Sequence, residues 1–315
     1  MEVNISPGKY VLAVSGGVDS MALLHLLVQQ GQSSVVSRQS SVKKEGTIDY
    51  GLSTLDSTTS MKLVVAHFNH GIRPDSLSDE RLVVAAAKKY GLPVEVGYGA
   101  LGKNTSEEEA RYARYNFLEV IKEKYRAKAI ITAHHQDDLI ETAFINIIRG
   151  TGRQGLSSIQ SKKILRPLLS YTKKEILRYA RQNNLKWHED RSNKDTQYLR
   201  NYIRQKVMSK LGDKKRAEIL SNLDKVAKLN IIIDKKIATL SQNKRYLNRR
   251  TFTALPTSVG NELLAYWFRQ NNFRDFDRRT ISRVSVAIRT AKPGTKHEII
   301  RGRTVSLSKE KAALR

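Results

Sequence analysis

Apolar residues in the first half of the chain alternate between two kinds of run. Lys9–Val14 and Lys62–Phe68 are short and rich in β-branched residues, the length and composition of buried strands. Ser20–Gln30, Ser78–Tyr90 and Gln136–Ile148 instead carry their apolar residues at helical spacing, the second stopped by Gly91 and Pro93. Val94–Gly97 and Ala129–Ala133 read as two further strands. Thr105 with Glu108 forms a capping box for a helix to about Tyr125, and Thr172 with Glu175 opens another to about Asn183. Strands alternating with helices predict an α/β fold, a parallel sheet wrapped by helices. Such sheets bind ligands beyond the carboxyl ends of their strands, where Ser15, His67, Asn69 and His134 fall.

Two stretches break the alternation. Residues 31–60 are rich in serine and threonine with little periodicity, which predicts a surface insertion without catalytic residues. Beyond Thr196 the pattern is helical for a long way, with apolar residues at Ile203, Val207, Leu211, Ile219, Leu223, Val226 and Leu229. A smaller, mostly α domain is expected from about Tyr246, with helices near Asn261–Gln270 and Asp277–Thr290 and a hairpin over Lys296–Leu307. The expected division is a main domain over 1–210, a helical linker over 211–245 and a small basic domain over 246–315.

The junction of the first strand and helix reads AVSGGVDS, residues 13–20. A strand-to-helix loop presents unpaired backbone N–H groups at the positive end of a helix dipole, which suits phosphate. Gly16 and Gly17 let backbone approach closely, and Ser15 and Ser20 add hydroxyls. The loop is not G-x-x-x-x-G-K-[ST], and it has no lysine of its own to follow a γ-phosphate. A tight turn with an Asp/Ser cap would show some of the same residues.

Charge adds a partner. The chain carries +26, unevenly: from Arg204 onward there are 27 basic and 9 acidic residues, a net +18. That excess points to a nucleic-acid partner held by the last third, the alternative being a solvated basic surface. There are no cysteines, which excludes disulfides, thiolate nucleophiles and iron–sulfur ligation. No apolar run is long enough to span a membrane and no secretory leader is visible, so the cytoplasm is expected.

SGGVDS resembles the pyrophosphate loop of the N-type ATP pyrophosphatases, the PP-loop superfamily. HFNHGIR (67–73), EARYARY (109–115), TAHHQDDLIET (132–142), NIIRGTGRQGL (146–156), RPLL (166–169) and DRSNKDTQYLRNYIR (190–204) follow in order. Together they resemble the tRNA(Ile)-lysidine synthetase family over nearly all of residues 8–210. The resemblance implies ATP as co-substrate and an isoleucine tRNA with a CAU anticodon. The wobble cytidine is adenylated at its C2 carbonyl, and the ε-amine of free lysine displaces AMP to give lysidine. It also implies that Ser15, Gly16, Gly17, Val18, Asp19 and Ser20 hold the departing pyrophosphate. His70 and Arg73 are expected to line the nucleotide pocket.

Asp137, Asp138 and Glu141 fall on one helix face at spacings of three and four. Such carboxylates can hold Mg²⁺ or the lysine ammonium, or take the proton of the attacking amine. Asp19 and Asp138 are the expected metal ligands, and Asp137 the lysine or base residue. A carboxylate-rich first turn also simply suits the helix dipole. Of His134 and His135, one is expected to line the site and the other to be structural. Arg111 and Arg114, three apart on a helix, can neutralise phosphates or the adenylate, or pair with Glu107, Glu108 and Glu109. His134, Arg200 and Arg204 are read as substrate-facing. Arg249, Arg250, Arg278 and Arg279 are the expected tRNA phosphate contacts. A homodimer stays open.

Overall fold

The computed structural model describes residues 1–40, 61–71, 76–99, 105, 107–156, 164–189, 199–241, 245–273, 276–300 and 302–315. They form two compact units. The first comprises Met1–Glu141 and Ser161–Leu211, the second Thr142–Gln160 and Gly212–Arg315.

The first unit follows the predicted order: β1 (Gly8–Ala13), α1 (Val18–Ser40), β2 (Met61–Asn69), α2 (Ser76–Lys89), β3 (Val94–Tyr98), α3 (Glu107–Lys124), β4 (Ala129–Ile131) and the opening of α4 (Gln136–Ile148). After α5 (Arg153–Leu156), which belongs to the second unit, the first resumes with β5 (Ile164–Leu165), α6 (Lys173–Gln182) and α7 (Leu199–Tyr202). The capping box at Thr172 and Glu175 is present. Helix α1 runs past Gln30 to Ser40, so the expected insertion begins as helix; 41–60 lies outside the described residues.

The strands form one parallel sheet in the order β3-β2-β1-β4-β5. Successive side chains of β1 enter different cores, as the two-residue strand period requires. Tyr10 and Leu12 pack with Leu23, Leu24, Leu27, Val83 and Ile176, while Val11 packs with Val64, Leu118, Ile121 and Ile130. Covering on both faces is what parallel sheets need. Strand order reverses between β1 and β4, so the crevice beyond their carboxyl ends is a topological switch point.

The second unit contains α8 (Asp213–Leu240), β6 (Tyr246–Asn248), α9 (Arg249–Ala254), α10 (Thr257–Gln270), α11 (Arg278–Thr290), β7 (Lys296–Ile300), β8 (Arg303–Leu307) and β9 (Lys311–Leu314). Its antiparallel sheet, β6-β9-β8-β7, buries Leu247, Ala312, Val305, Leu307 and Ile299 against Leu264, Trp267 and Phe268 of α10 and Val284 and Ile288 of α11. The expected linker is instead part of this unit: Ile237 of α8 lies in that core and Ile233 packs against it. Thr142–Gln160 joins the unit through Arg153. Its guanidinium reaches Asp234 at 2.7 Å, Glu262 at 3.0 Å and Asn230 at 3.0 Å, and Asn230 donates back to the Arg153 carbonyl at 2.9 Å. No helix among the described residues is long and apolar enough to cross a membrane.

Candidate functional site

The β1–α1 loop is held by its own serines. The Ser15 N–H donates to Ser20 Oγ at 3.1 Å, and Ser20 Oγ donates to the Gly17 carbonyl at 2.9 Å. Gly16 has φ +91°, a backbone conformation that favours glycine, and a Cβ there would crowd Asp79 Cβ at 3.3 Å. The Gly16 carbonyl accepts the His188 N–H at 3.1 Å, and His188 Nδ1 pairs with Asp79 at 2.8 Å.

Asp19, in the first turn of α1, meets two groups from elsewhere in the chain. Lys173 Nζ, at the start of α6, donates to both its carboxylate oxygens, at 2.6 and 2.7 Å. His135 Nε2 lies 3.7 Å from Asp19 and 3.5 Å from Asp138. The Asp137 N–H points at His135 Nδ1 at 3.2 Å. That contact makes Nδ1 the acceptor and assigns the proton to Nε2, facing both carboxylates. Asp138 also accepts the His135 N–H at 2.9 Å. Burial alone would raise the Asp138 pKa; His135, His134, that N–H and Arg204 outweigh it and hold the carboxyl below its usual range. Asp138 is thus a carboxylate at neutral pH.

The two expected metal ligands, Asp19 and Asp138, therefore meet around one imidazole. Among the described residues no group of three or more His, Asp and Glu side chains is arranged to hold a metal. One or two carboxylates completed by substrate phosphates is the usual donor set for Mg²⁺, and the oxygens present fit it.

Glu141 is drawn away from solution. It is 1% exposed and accepts two hydrogen bonds from Arg204, from Nε at 2.7 Å and from Nη2 at 2.8 Å. Burial raises its pKa and Arg204 opposes the rise. Arg204 Nη2 is also 3.7 Å from Asp138. Arg204 and Glu141 thus form a bidentate pair that fixes α4, where the sequence placed one on the substrate and the other in the chemistry.

A second group is cationic. Arg111 and Arg114 pack on the Tyr115 ring, 4.9 and 5.3 Å from its centroid. Burial, and then the like charges of Arg111 and Arg200, lower the Arg114 pKa against an opposing pull from Tyr115. Arg166, first residue of the RPLL motif, has its pKa lowered by burial and also by Arg111, with Tyr115 opposing. His134 accompanies them, its Nδ1 2.8 Å from Thr132 Oγ1. Burial lowers its pKa to about 3, with Asp138 opposing and Arg166, Arg114 and Arg111 adding to the drop, so the ring is neutral. Four guanidiniums and an imidazole thus act on one another electrostatically, a cationic setting that suits an anionic ligand.

This depressed pKa makes acid stability testable. Unfolded His134 titrates near 6.5, so between about pH 6.5 and 3 the unfolded chain binds the extra proton and stability falls as pH drops. His134→Gln should remove about 2 kcal/mol of the wild-type loss between pH 7 and pH 5, read by urea unfolding at each pH. Parallel pH profiles for the two proteins would contradict the buried neutral ring.

The remaining expected residues divide. His70, at the end of β2, is half-buried edge-on to Phe68. Arg73 lies outside the described residues. His67 is structural, its Nδ1 2.8 Å from the Val14 carbonyl. Arg249 is not an exposed phosphate contact. It is 9% exposed and donates to the carbonyls of Ile288, Ser308 and Ala291, pinning the end of α11 to the β8–β9 turn. Arg250, Arg278 and Arg279 are exposed. The latter two occupy the first turn of α11, where cations oppose the helix dipole, a placement that an external phosphate would relieve.

Residues 2–211 match the PP-loop domain family. A tRNA(Ile)-lysidine synthase of Thermotoga maritima is 35% identical over 213 residues, which is 65% of this chain and 45% of that protein. That of Buchnera aphidicola is 28% identical over 306 residues, 92% of this chain and 63% of its own length. The chain thus spans about half to two thirds of these relatives. Among solved structures, the U34-tRNA thiolase NcsA of Methanococcus maripaludis, with its [4Fe-4S] cluster, shares the fold at TM-score 0.53 and 17% identity over 71% of this chain and 74% of that one.

Proposed function

The chain belongs to the PP-loop family, and from that premise we propose that it is an ATP-dependent ligase that joins lysine to C2 of the wobble cytidine, position 34, of the CAU-anticodon isoleucine tRNA. The observation that supports this reading is the meeting, at one switch point, of Asp19 of the phosphate loop with Asp138 around His135. Similarity to lysidine synthases over the same residues supports it.

The chemistry runs in two steps. The C2 carbonyl oxygen of cytidine attacks the α-phosphorus of ATP, and diphosphate leaves toward the Ser15–Ser20 loop, whose N–H groups and hydroxyls hold it. The neutral ε-amine of lysine then attacks C2, and AMP departs with the former carbonyl oxygen. Asp137 holds the lysine ammonium or takes the proton that the amine loses. Arg111, Arg114, Arg166 and Arg200, with His134, face the adenylate phosphate. Asp19 and Asp138 would hold Mg²⁺, which when bound neutralises phosphate charge. Arg250, Arg278 and Arg279 of the second unit contact tRNA phosphates. The reaction belongs in the cytoplasm, and a homodimer is compatible with it.

Sulfur transfer through cysteines, the chemistry expected of a thiolase on this fold, has no residue here to perform it: the chain has no cysteine. Incubation with isoleucine tRNA, ATP and isotope-labelled lysine should yield a wobble nucleoside heavier by one lysine less water, with one AMP released per lysine incorporated. Asp19→Ala and Asp138→Asn should each reduce turnover at least about 100-fold, a typical loss when a positioned catalytic group is removed. AMP release that does not require lysine would reject the reading.

A further inference from the structure

A loop that cradles phosphate in other nucleotide-binding folds often carries its own lysine, and SGGVDS has none. The fold supplies one from 154 residues away. Lys173 Nζ donates to both oxygens of Asp19, at 2.6 and 2.7 Å. Neither side chain is sealed from water: Lys173 is 36% and Asp19 28% exposed, so the pair can open without burying a lone charge. The local sequence gives no reason for a cation there. Lys173 is the first residue of α6, beside the positive end of the helix dipole, and the capping box of Thr172 and Glu175 already satisfies that terminus. A lysine held at an unfavourable helix end, against the one carboxylate of a phosphate loop, is placed for what that loop binds.

We infer that Lys173 is the missing phosphate-binding lysine of this loop, paired with Asp19 and transferred to the pyrophosphate group that the loop binds. Within the pair each charge neutralises the other. An arriving pyrophosphate offers Lys173 a more highly charged acceptor and leaves Asp19 free to face a divalent cation, so one binding event redirects both side chains. The ammonium is suited to this transfer. It is a compact charge on a flexible stem with three rotatable donors, able to follow a leaving group where a rigid guanidinium fork cannot. Asp19 then serves both as the resting partner of Lys173 and as a ligand for the cation that accompanies the phosphates.

The inference rests on the nucleotide reading of the loop but not on the RNA or the amine, so its test contains neither. The full chain is titrated with inorganic pyrophosphate in a calorimeter, with and without Mg²⁺. Lys173→Met should weaken pyrophosphate binding about 10- to 100-fold in both conditions, the usual value of a hydrogen bond to a charged group. Lys173→Arg should recover part of that loss. Asp19→Asn should do the opposite without Mg²⁺, strengthening binding because the competing carboxylate is gone, while abolishing the gain that Mg²⁺ gives the wild type. In the Asp19→Asn background Lys173→Met should still weaken binding. If Lys173 only braces Asp19, that second effect vanishes and thermal unfolding moves instead, which overturns the inference. Wild-type binding that Lys173→Met leaves unchanged overturns it too. A wild-type chain that binds no pyrophosphate in either condition removes the nucleotide reading along with it.

Discussion

Arg204→Met destabilises the first unit by about 2 kcal/mol, because it leaves the buried Glu141 carboxylate without its bidentate partner, a loss moderated by water reaching the part-exposed Arg204 position. Glu141 is 1% exposed and its pKa is already raised by burial with Arg204 opposing, so loss of the guanidinium raises it further. Asp138 loses the same cation, 3.7 Å away. Turnover at matched folded fraction falls about 100-fold, the cost expected when supporting groups let a site shift by an ångström. The double variant Arg204→Met/Glu141→Leu separates the two effects. It regains most of the stability, since an apolar pair of similar volume replaces a buried ion pair at little or no cost, but it does not regain the turnover. Chemical unfolding of both variants decides the matter; a single variant within about 0.5 kcal/mol of wild type would show that the pair carries little.

On the proposed function, replacing Arg250, Arg278 and Arg279 together with glutamine should flatten the salt dependence of tRNA binding. Each phosphate neutralised contributes about −0.9 to the slope of log affinity against log salt, so the triple variant should lose about 2.7 of that slope. Arg249→Gln behaves differently. It removes the donors to the Ile288, Ser308 and Ala291 carbonyls, so it lowers the stability of the second unit and leaves the slope unchanged. Filter-binding titrations from low to high salt, with circular dichroism on each variant, distinguish the four arginines. An unchanged slope in the triple variant would move the RNA contacts elsewhere.

What the sequence made legible was what local chemistry decides. The β1–loop–α1 junction could be read because two glycines and two serines between a strand and a helix have few structural uses. Asp137, Asp138 and Glu141 share a face of α4 by helical spacing alone. Side-chain partners across the fold were not legible. Neither Lys173 beside Asp19 nor Arg204 on Glu141 leaves a local signal, and Arg249 looks like its exposed neighbour Arg250 until the carbonyls around it are in place. Strands β6 and β9 escaped notice because YLN and KAAL are short, with no β-branched residue and no visible alternation. Arg166 stood in a quoted motif, but only the surrounding charges distinguish it from a surface arginine.

The composition of the second unit from two stretches of chain has a consequence during synthesis. Arg153 leaves the ribosome 81 residues before Asp234, its partner on α8. At about 5–20 residues per second, that interval lasts roughly 4–16 s. In its last part, once Leu211 has emerged, the chain has supplied everything the first unit needs, while the 142–160 segment still lacks the helix that will hold it. Nascent chains of this protein therefore pass through a timed state with one unit able to close and a polar hook waiting, a state that slow translation prolongs and a chaperone that binds unpaired segments would meet.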